Sequence, residues 1–463
     1  MEDGFPEDMY TFSTLKDLFQ ATATLGPVIE RVLEKLLPIT CVISDITMTV
    51  AHKVAVQLGL PSVGFSCLGL LNLSAKYYTP RLLDEGLLPL QLHSADGVPQ
   101  KVIRSLHRTP TAEEAAAYAQ KVTCIPGMYP IQLGEFHLPL VTSHCDHSNF
   151  LFHHFVVDQI ECIVQNRAWM LANSFYELEA AIVDPMQRDM GVKLSTIGPL
   201  VVPPTTCDGS FNVSDIAESR KGSLWPPEET KCIQWLDKQN PQSVIYVSFG
   251  SLMHVKPEIL QDFLLGLEDS GVPFLLVLRS NVVNTEGSEA GSGVDHNVDP
   301  ILPSGFPERT KEKGLIVSWA PQISVLRHPA TAGFLSHCGW NSILESISFG
   351  VPMLCYPFTT DQPMNARYAV SVWKVGLEFQ RRPDGSVERH EVATKVRALV
   401  TEEGTQCRLE AMRWSGIARK AVEKGGSSYN HMAAFVADMH SRAQEAAFAK
   451  EKCQGESATI CRT

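Results

Sequence analysis

The stretch Ala332–Tyr356 reads as apolar run, glycine turn, helical period, glycine and proline stop, and second apolar run, an order that few folds accept. Ala332 to Leu335 is short and apolar and leads into Ser336-His337-Cys338-Gly339. Trp340 to Ile347 follows, with Ile343 and Ile347 at helical spacing. Gly350 and Pro352 end that helix, and Met353 to Tyr356 supplies the next strand. Two strands joined by a helix in this way run parallel, so the unit is a βαβ crossover and predicts a parallel sheet behind it. A helix that opens directly after a strand is also an anion site, because its first N–H groups lack intrahelical partners and carry the positive end of the helix dipole. His337 and the backbone of Trp340, Asn341 and Ser342 fall at that end.

The groups around this unit suit one kind of ligand, a nucleotide-sugar. Glu345 lies one turn beyond Asn341 on the same helix face, where a carboxylate accepts two hydrogen bonds from a ribose diol. Trp319 follows Leu315-Ile316-Val317 and is expected to end a strand at the carboxyl edge of the sheet. Open α/β sheets bind ligands at that edge, and an indole there can stack on a base. Asp361-Gln362 ends the next strand and loop and offers acceptors and a donor to sugar hydroxyls. Taken singly, each residue has a plainer reading: Trp319 as a core aromatic, Glu345 as a solvated helix charge, His337 as a loop-end histidine and Asp361 as a turn residue. Their joint spacing in a strand–helix context favours the ligand.

The rest of the chain narrows the class. A length of 463 residues allows about two or three domains, and 44% apolar with 19% charged residues is an ordinary soluble composition. A net charge of −12 argues against nucleic acid or an anionic membrane as partner, because phosphate backbones are bound through excess Lys and Arg. No signal peptide opens the chain and no run approaches the length of a membrane span. Twelve scattered cysteines with no Cys-x-x-Cys pair read as free thiols, which predicts a cytoplasmic location. The sequons at Asn72 and Asn212 would then stay unmodified. His144-Cys145-Asp146-His147, with His153 and His154, has donors enough for a metal but lacks zinc-site spacing, and is read as a polar loop before a helix.

Two halves follow from the pattern of strands. Cys41–Asp45, Ser62–Phe65, Trp169–Ala172 and Ile197–Leu200 give strand signals in the first half, the first two joined by a helical stretch. Pro203-Pro204, Asp208-Gly209 and Trp225-Pro226-Pro227 mark a linker. In the second half Val244–Phe249 and Phe274–Leu278 read as strands around a Pro257–Leu267 helix. Asn284–Asp295 reads as a surface loop, and Glu388 onward as helix interrupted at Gly425-Gly426-Ser427-Ser428, a segment expected to cap the next helix. Lys450–Thr463 reads as a frayed polar tail.

From its first residue to its last, the run Trp319–Gln362 resembles the donor-binding signature of plant-type, family 1 UDP-dependent glycosyltransferases. The resemblance implies the GT-B fold, two Rossmann-like doubly wound α/β domains. It implies residues 1–200 as an acceptor domain, 201–231 as linker, 232–427 as UDP-sugar domain and 428–463 as a last helix that crosses back. It places Trp319 on uracil with the Ala320 backbone at its edge, and Gln322 and Glu345 on the ribose. His337, Asn341 and Ser342 would hold the diphosphate, and the Trp340 backbone, Asp361 and Gln362 the sugar. Ser251, after the Val244–Phe249 strand, matches a phosphate-side residue of the family; a plain helix cap is its other reading. A terminal Gln362 resembles glucose users. The implied partner is a small phenolic, terpenoid or other hydrophobic acceptor, with no prosthetic group, no metal and a monomeric enzyme.

Transfer with inversion needs a base for the acceptor hydroxyl and a partner that orients the base. Asp45 matches the family's orienting acid; capping of the following helix is the other reading. The family's histidine follows an early Gly-rich turn, and none of the 15 histidines here sits in one. Glu2–Pro6 resembles a segment well inside the first domain of relatives, so that domain is expected to lack its opening strands and the histidine. His52 reads as a surface or core residue, and Cys67 stands where relatives often carry a hydroxyl. Two functions stay open: a glucosyltransferase, or a non-catalytic protein that binds nucleotide-sugar. An unrelated doubly wound enzyme is disfavoured, since no Gly-x-Gly-x-x-Gly follows a strand.

Overall fold

A computed structural model describes residues 21–22, 24–87, 92–93, 99–100, 116, 119–136, 169–202, 229–250, 257–278, 302–358, 360–382, 386–401 and 404–460. The chain forms two compact units. One comprises 8–77, 145–200 and 420–463, the other 1–7, 78–144 and 201–419.

The first unit holds a four-stranded parallel sheet in chain order: β1 (Val42–Asp45), β2 (Ser62–Ser66), β3 (Trp169–Ala172) and β4 (Lys193–Thr196). Helices α1 (Gly26–Leu36), α2 (Thr49–Gln57), α3 (Leu70–Tyr77) and α4 (Tyr176–Met190) accompany it. Val63, Trp169, Leu171 and Ile197 pack with Phe435 and Met439 of the last helix, Ser427–Ile460. That contact is pinned by Asp438, whose carboxylate accepts hydrogen bonds from Trp169 Nε1 at 2.7 Å and Lys193 Nζ at 2.8 Å. β1 lies at the sheet edge with Ile43 exposed, and α1 buries none of its residues, leaving Val28, Val32 and Leu36 exposed.

The second unit is built on six parallel strands: β5 (Val244–Ser248), β6 (Phe274–Val277), β7 (Gly314–Val317), β8 (Thr331–Ser336), β9 (Met353–Cys355) and β10 (Gly376–Glu378). Their spatial order is β7-β6-β5-β8-β9-β10. The chain therefore winds outward one way from β5 and the other way from β8, and the crevice between these two strands is the topological switch point of the sheet. β5, β6, β8 and β9 are buried at every residue, as strands covered on both faces must be. α5 (Pro257–Ser270), α6 (Gln322–Arg327), α7 (Trp340–Phe349) and α8 (Gln362–Arg367) belong to this unit. Ile245, Val247, Phe263, Leu264, Leu335 and Leu354 are among its core.

Several local readings of the sequence shift. The last strand of the first sheet is Lys193–Thr196, one step before the apolar Ile197–Leu200. β7 stops at Val317, so Trp319 stands in the loop beyond the strand rather than ending it. The cap of the last helix falls on Gly426, whose carbonyl accepts the Asn430 N–H at 2.9 Å, while the Ser427 and Ser428 hydroxyls go to Glu177 Oε2 at 2.9 Å and the Gly198 carbonyl at 2.5 Å. The last helix continues to Ile460 instead of fraying from Lys450. Glu2–Pro6, His144–His147, His153, His154, the linker prolines and the Asn284–Asp295 loop lie outside the described residues. Among the described residues, no helix is long and apolar enough to cross a membrane, and no group of three or more His, Cys, Asp or Glu side chains is placed to hold a metal.

Candidate functional site

The two strands that flank the switch point end on glycine-bounded turns. Gly250, just past β5, has φ +83°, and a Cβ built on it would lie 2.7 Å from His337 Nε2. His337, just past β8, is enclosed on its other side as well, since a Cβ on Gly339 would lie 2.5 Å from the same nitrogen. Only residues without side chains allow the backbone to approach an imidazole this closely. The His337 Nδ1 atom is buried with no hydrogen-bond partner among the described residues. Desolvation pushes its imidazole pKa down to about 4, so the ring is neutral near pH 7.

α7 starts directly after Gly339 and has no side-chain cap, the arrangement in which a helix end takes a phosphate. Asn341 is exposed and Ser342 buried in the first turn. Trp340 is buried, its indole 6.1 Å from the Trp373 ring, which leaves its backbone as the part able to meet a ligand.

Gln322, at the start of α6, joins two other predicted residues, Ser342 and Glu345 of α7, in one cluster. Its amide Nε2 donates to Glu345 Oε2 at 2.6 Å and to Ser342 Oγ at 3.2 Å. Its carbonyl accepts from the Tyr246 hydroxyl at 3.2 Å. Tyr246 is a residue the sequence reading passed over. It sits in β5 with its ring stacked on Phe334 at 4.9 Å, and its hydroxyl reaches the cluster from the core. The available signal was a tyrosine in the otherwise aliphatic run Val244-Ile245-Tyr246-Val247, since a buried phenol needs a polar partner. Trp319, in the loop after β7, is half-buried, and Ala320 next to it is buried.

Asp361 and Gln362 open α8, and both are buried. Asp361 Oδ1 accepts from Thr360 Oγ1 at 3.0 Å, and Gln362 Oε1 accepts the Phe358 N–H at 2.9 Å. Ser251 lies outside the described residues.

In the other unit, Asp45 ends β1 and is half-buried. Its Oδ1 accepts the Thr47 N–H at 2.8 Å and the Thr47 hydroxyl at 2.5 Å, and its Oδ2 accepts the Cys67 thiol at 3.3 Å. The carboxylate thus closes the turn before α2, whose N-cap is Met48. No histidine among the described residues is hydrogen-bonded to it. His52 is a buried residue whose Nδ1 lies 2.5 Å from Ser62 Oγ.

Comparison with known proteins accounts for this arrangement. The model of the family described as UDP-glucoronosyl and UDP-glucosyl transferase matches residues 211–419. Linamarin synthase 1 of Manihot esculenta is 32% identical over 404 residues, covering 87% of this chain and 74% of its own length. The (R)-mandelonitrile beta-glucosyltransferase of Prunus dulcis is 33% identical over 397 residues, covering 85% and 73%. The structure of Phytolacca americana UGT2 complexed with UDP-2fluoro-glucose and pterostilbene superposes with TM-score 0.67 at 27% identity, covering 91% of this chain and 80% of that one. Two parallel α/β units, the donor signature and these relatives agree: the chain belongs to the plant family 1 UDP-glycosyltransferases, enzymes of the GT-B fold.

Proposed function

We propose that the protein transfers glucose from UDP-glucose to a hydroxyl or carboxyl of a small lipophilic acceptor, with inversion at the anomeric carbon. The observation that carries this reading is the Gln322–Ser342–Glu345 cluster, two of whose residues stand on the helix that opens just after the neutral, glycine-enclosed His337 at the switch point. In this assignment uracil stacks on Trp319 beside the Ala320 backbone, and Glu345 and Gln322 meet the ribose diol. His337, Asn341, Ser342 and Ser251 serve the diphosphate. The Trp340 backbone, Asp361 and Gln362 serve the sugar. Residues 232–427 are the donor domain in this reading, 1–200 the acceptor domain, 201–231 the linker and 428–463 the closing helix.

In the transfer the acceptor oxygen bonds to the anomeric carbon, the bond from that carbon to the UDP oxygen breaks, and the acceptor proton passes to a base. UDP leaves with the electron pair. Neither a metal nor a prosthetic group takes part in this scheme. Asp45 is proposed as the acid that orients the base. A second reading, binding of nucleotide-sugar without transfer, is favoured by Asp45 having Thr47 and Cys67 as its partners. The free cysteines among the described residues favour a cytoplasmic enzyme, and the scheme takes it to act as a monomer.

Calorimetry with UDP, UDP-glucose and UDP-galactose, followed by UDP release with phenolic and terpenoid acceptors, tests the proposal. Binding with acceptor-dependent UDP release supports transfer, and binding without release supports the second reading. Absence of binding to all three nucleotides would sink both.

A further inference from the structure

Two loops on the donor side of the six-stranded unit carry non-glycine residues in the left-handed region, Cys338 at φ 66° and Thr360 at φ 61°. Such conformations persist where surrounding contacts hold them, and they gather at binding sites. Cys338 stands between His337 and Gly339, on the loop assigned to the diphosphate, and Thr360 precedes Asp361, assigned to the sugar. One side chain joins the two loops. Asn365, in α8 and fully buried, donates through Nδ2 to the Cys338 carbonyl at 3.0 Å and to Asp361 Oδ2 at 2.8 Å. Asp361 Oδ1 takes the Thr360 hydroxyl, so both oxygens of the carboxylate are held.

We infer that Asn365 is a positioning residue that sets the spacing between the diphosphate loop and the sugar-binding carboxylate. The inference rests on the donor-site reading above. The chemistry singles out an amide: two acceptors, a carbonyl and a carboxylate, face one position, and an –NH2 group supplies one proton to each without adding charge. A carboxylate there would be a third acceptor among acceptors, with a second negative charge at hydrogen-bond distance from Asp361. A lysine would be too long for a fully buried site one helical turn from Asp361. Asn365 lies just beyond the Trp319–Gln362 run, which is why the sequence pattern did not mark it.

The tie connects the part of the site that reads diphosphate to the part that reads sugar, so its loss is expected to fall on the sugar. The measurement is the ratio of dissociation constants for UDP-glucose and UDP, by calorimetry on the full chain. Asn365→Asp is expected to raise that ratio roughly tenfold at pH 8. At pH 5.5 a carboxyl lifted by its carboxylate neighbour becomes protonated, donates one hydrogen bond again, and part of the loss is recovered. Asn365→Ser, which keeps one donor and adds no charge, is expected to give a smaller rise with no recovery at low pH, and it serves if the Asp variant fails to fold. Equal weakening of both nucleotides, an unchanged ratio, or an Asp variant indifferent to pH would overturn the inference. A wild-type protein that binds neither nucleotide would instead overturn the donor-site reading.

Discussion

Gly250→Ala is the substitution whose cost the structure fixes most tightly. Position 250 has φ +83°, where an L side chain costs about 1–2 kcal/mol. The added methyl would meet three atoms of the His337 ring at 2.7, 2.9 and 3.0 Å. The imidazole cannot retreat past Gly339, because its Nε2 already fills the space a Cβ would take there. Overpacking of this kind costs about 1–3 kcal/mol more, giving about 2–5 kcal/mol in all. If His337 donates to the diphosphate, its displacement removes a charge-assisted bond of about 1.5–3 kcal/mol, roughly 10- to 150-fold in UDP affinity. Gly416→Ala is the matched control. Gly416 is exposed in the Thr405–Val422 helix, its built Cβ meets nothing within 4 Å, and the change is expected to stabilise by about 0.5–1 kcal/mol. Urea unfolding and UDP calorimetry on both variants give the answer. A Gly250→Ala protein that unfolds at the wild-type midpoint and binds UDP within twofold of wild type would refute the reasoning.

The pH dependence of donor binding follows from His337. Its pKa of about 4 in the free protein rises when a phosphate approaches, so affinity for UDP-glucose should grow as pH falls through the raised value and level off below about 4. His337→Gln should flatten that slope in calorimetry run from pH 8 to pH 5, and an unchanged slope would remove His337 from the phosphates. Glu345→Ala is expected to reduce the preference for UDP over its 2′-deoxy analogue by roughly tenfold, since a charged acceptor of the diol is lost; a preserved preference would place the ribose elsewhere. Glu179 is fully buried, accepts the Leu71 N–H at 2.9 Å, and has its carboxyl pKa raised by desolvation. A group raised in the folded state contributes stability at low pH that fades as pH climbs through the raised value. Glu179→Gln keeps the acceptor without the charge, so its stability relative to wild type should improve from pH 5 to pH 8. Parallel urea curves at both pH values would contradict this.

How far the sequence reached depends on whether a residue acts with its chain neighbours or through the fold. The βαβ unit was legible because apolar runs, Gly339, Gly350 and Pro352 carry their own local physics. The cluster of Gln322, Ser342 and Glu345 was legible only as a pattern, and its closure by Tyr246 from β5 is long-range, 76 residues away along the chain. Asn365 was invisible for the same reason, since nothing near it in sequence shows that Cys338 lies within its reach. Within Gly425–Ser428 the cap falls on Gly426, because tertiary partners, Glu177 and the Gly198 carbonyl, take the serine hydroxyls. Of the two readings of Asp45, the helix cap gives way, since the N-cap of α2 is Met48. The Asp45 carboxylate closes a turn onto Thr47 and meets Cys67, a residue brought to it by the neighbouring strand β2.

The central claim, a UDP site built on the loop after β7 and the first turn of α7, is tested most directly by titrating UDP into the wild-type protein and Trp319→Ala side by side. Stacking of a base on an aromatic ring is worth about 1–3 kcal/mol, so the account expects saturable binding to the wild type and a loss of roughly 5- to 150-fold in the variant. Equal affinity of the two proteins, or no heat of binding to either, would contradict it.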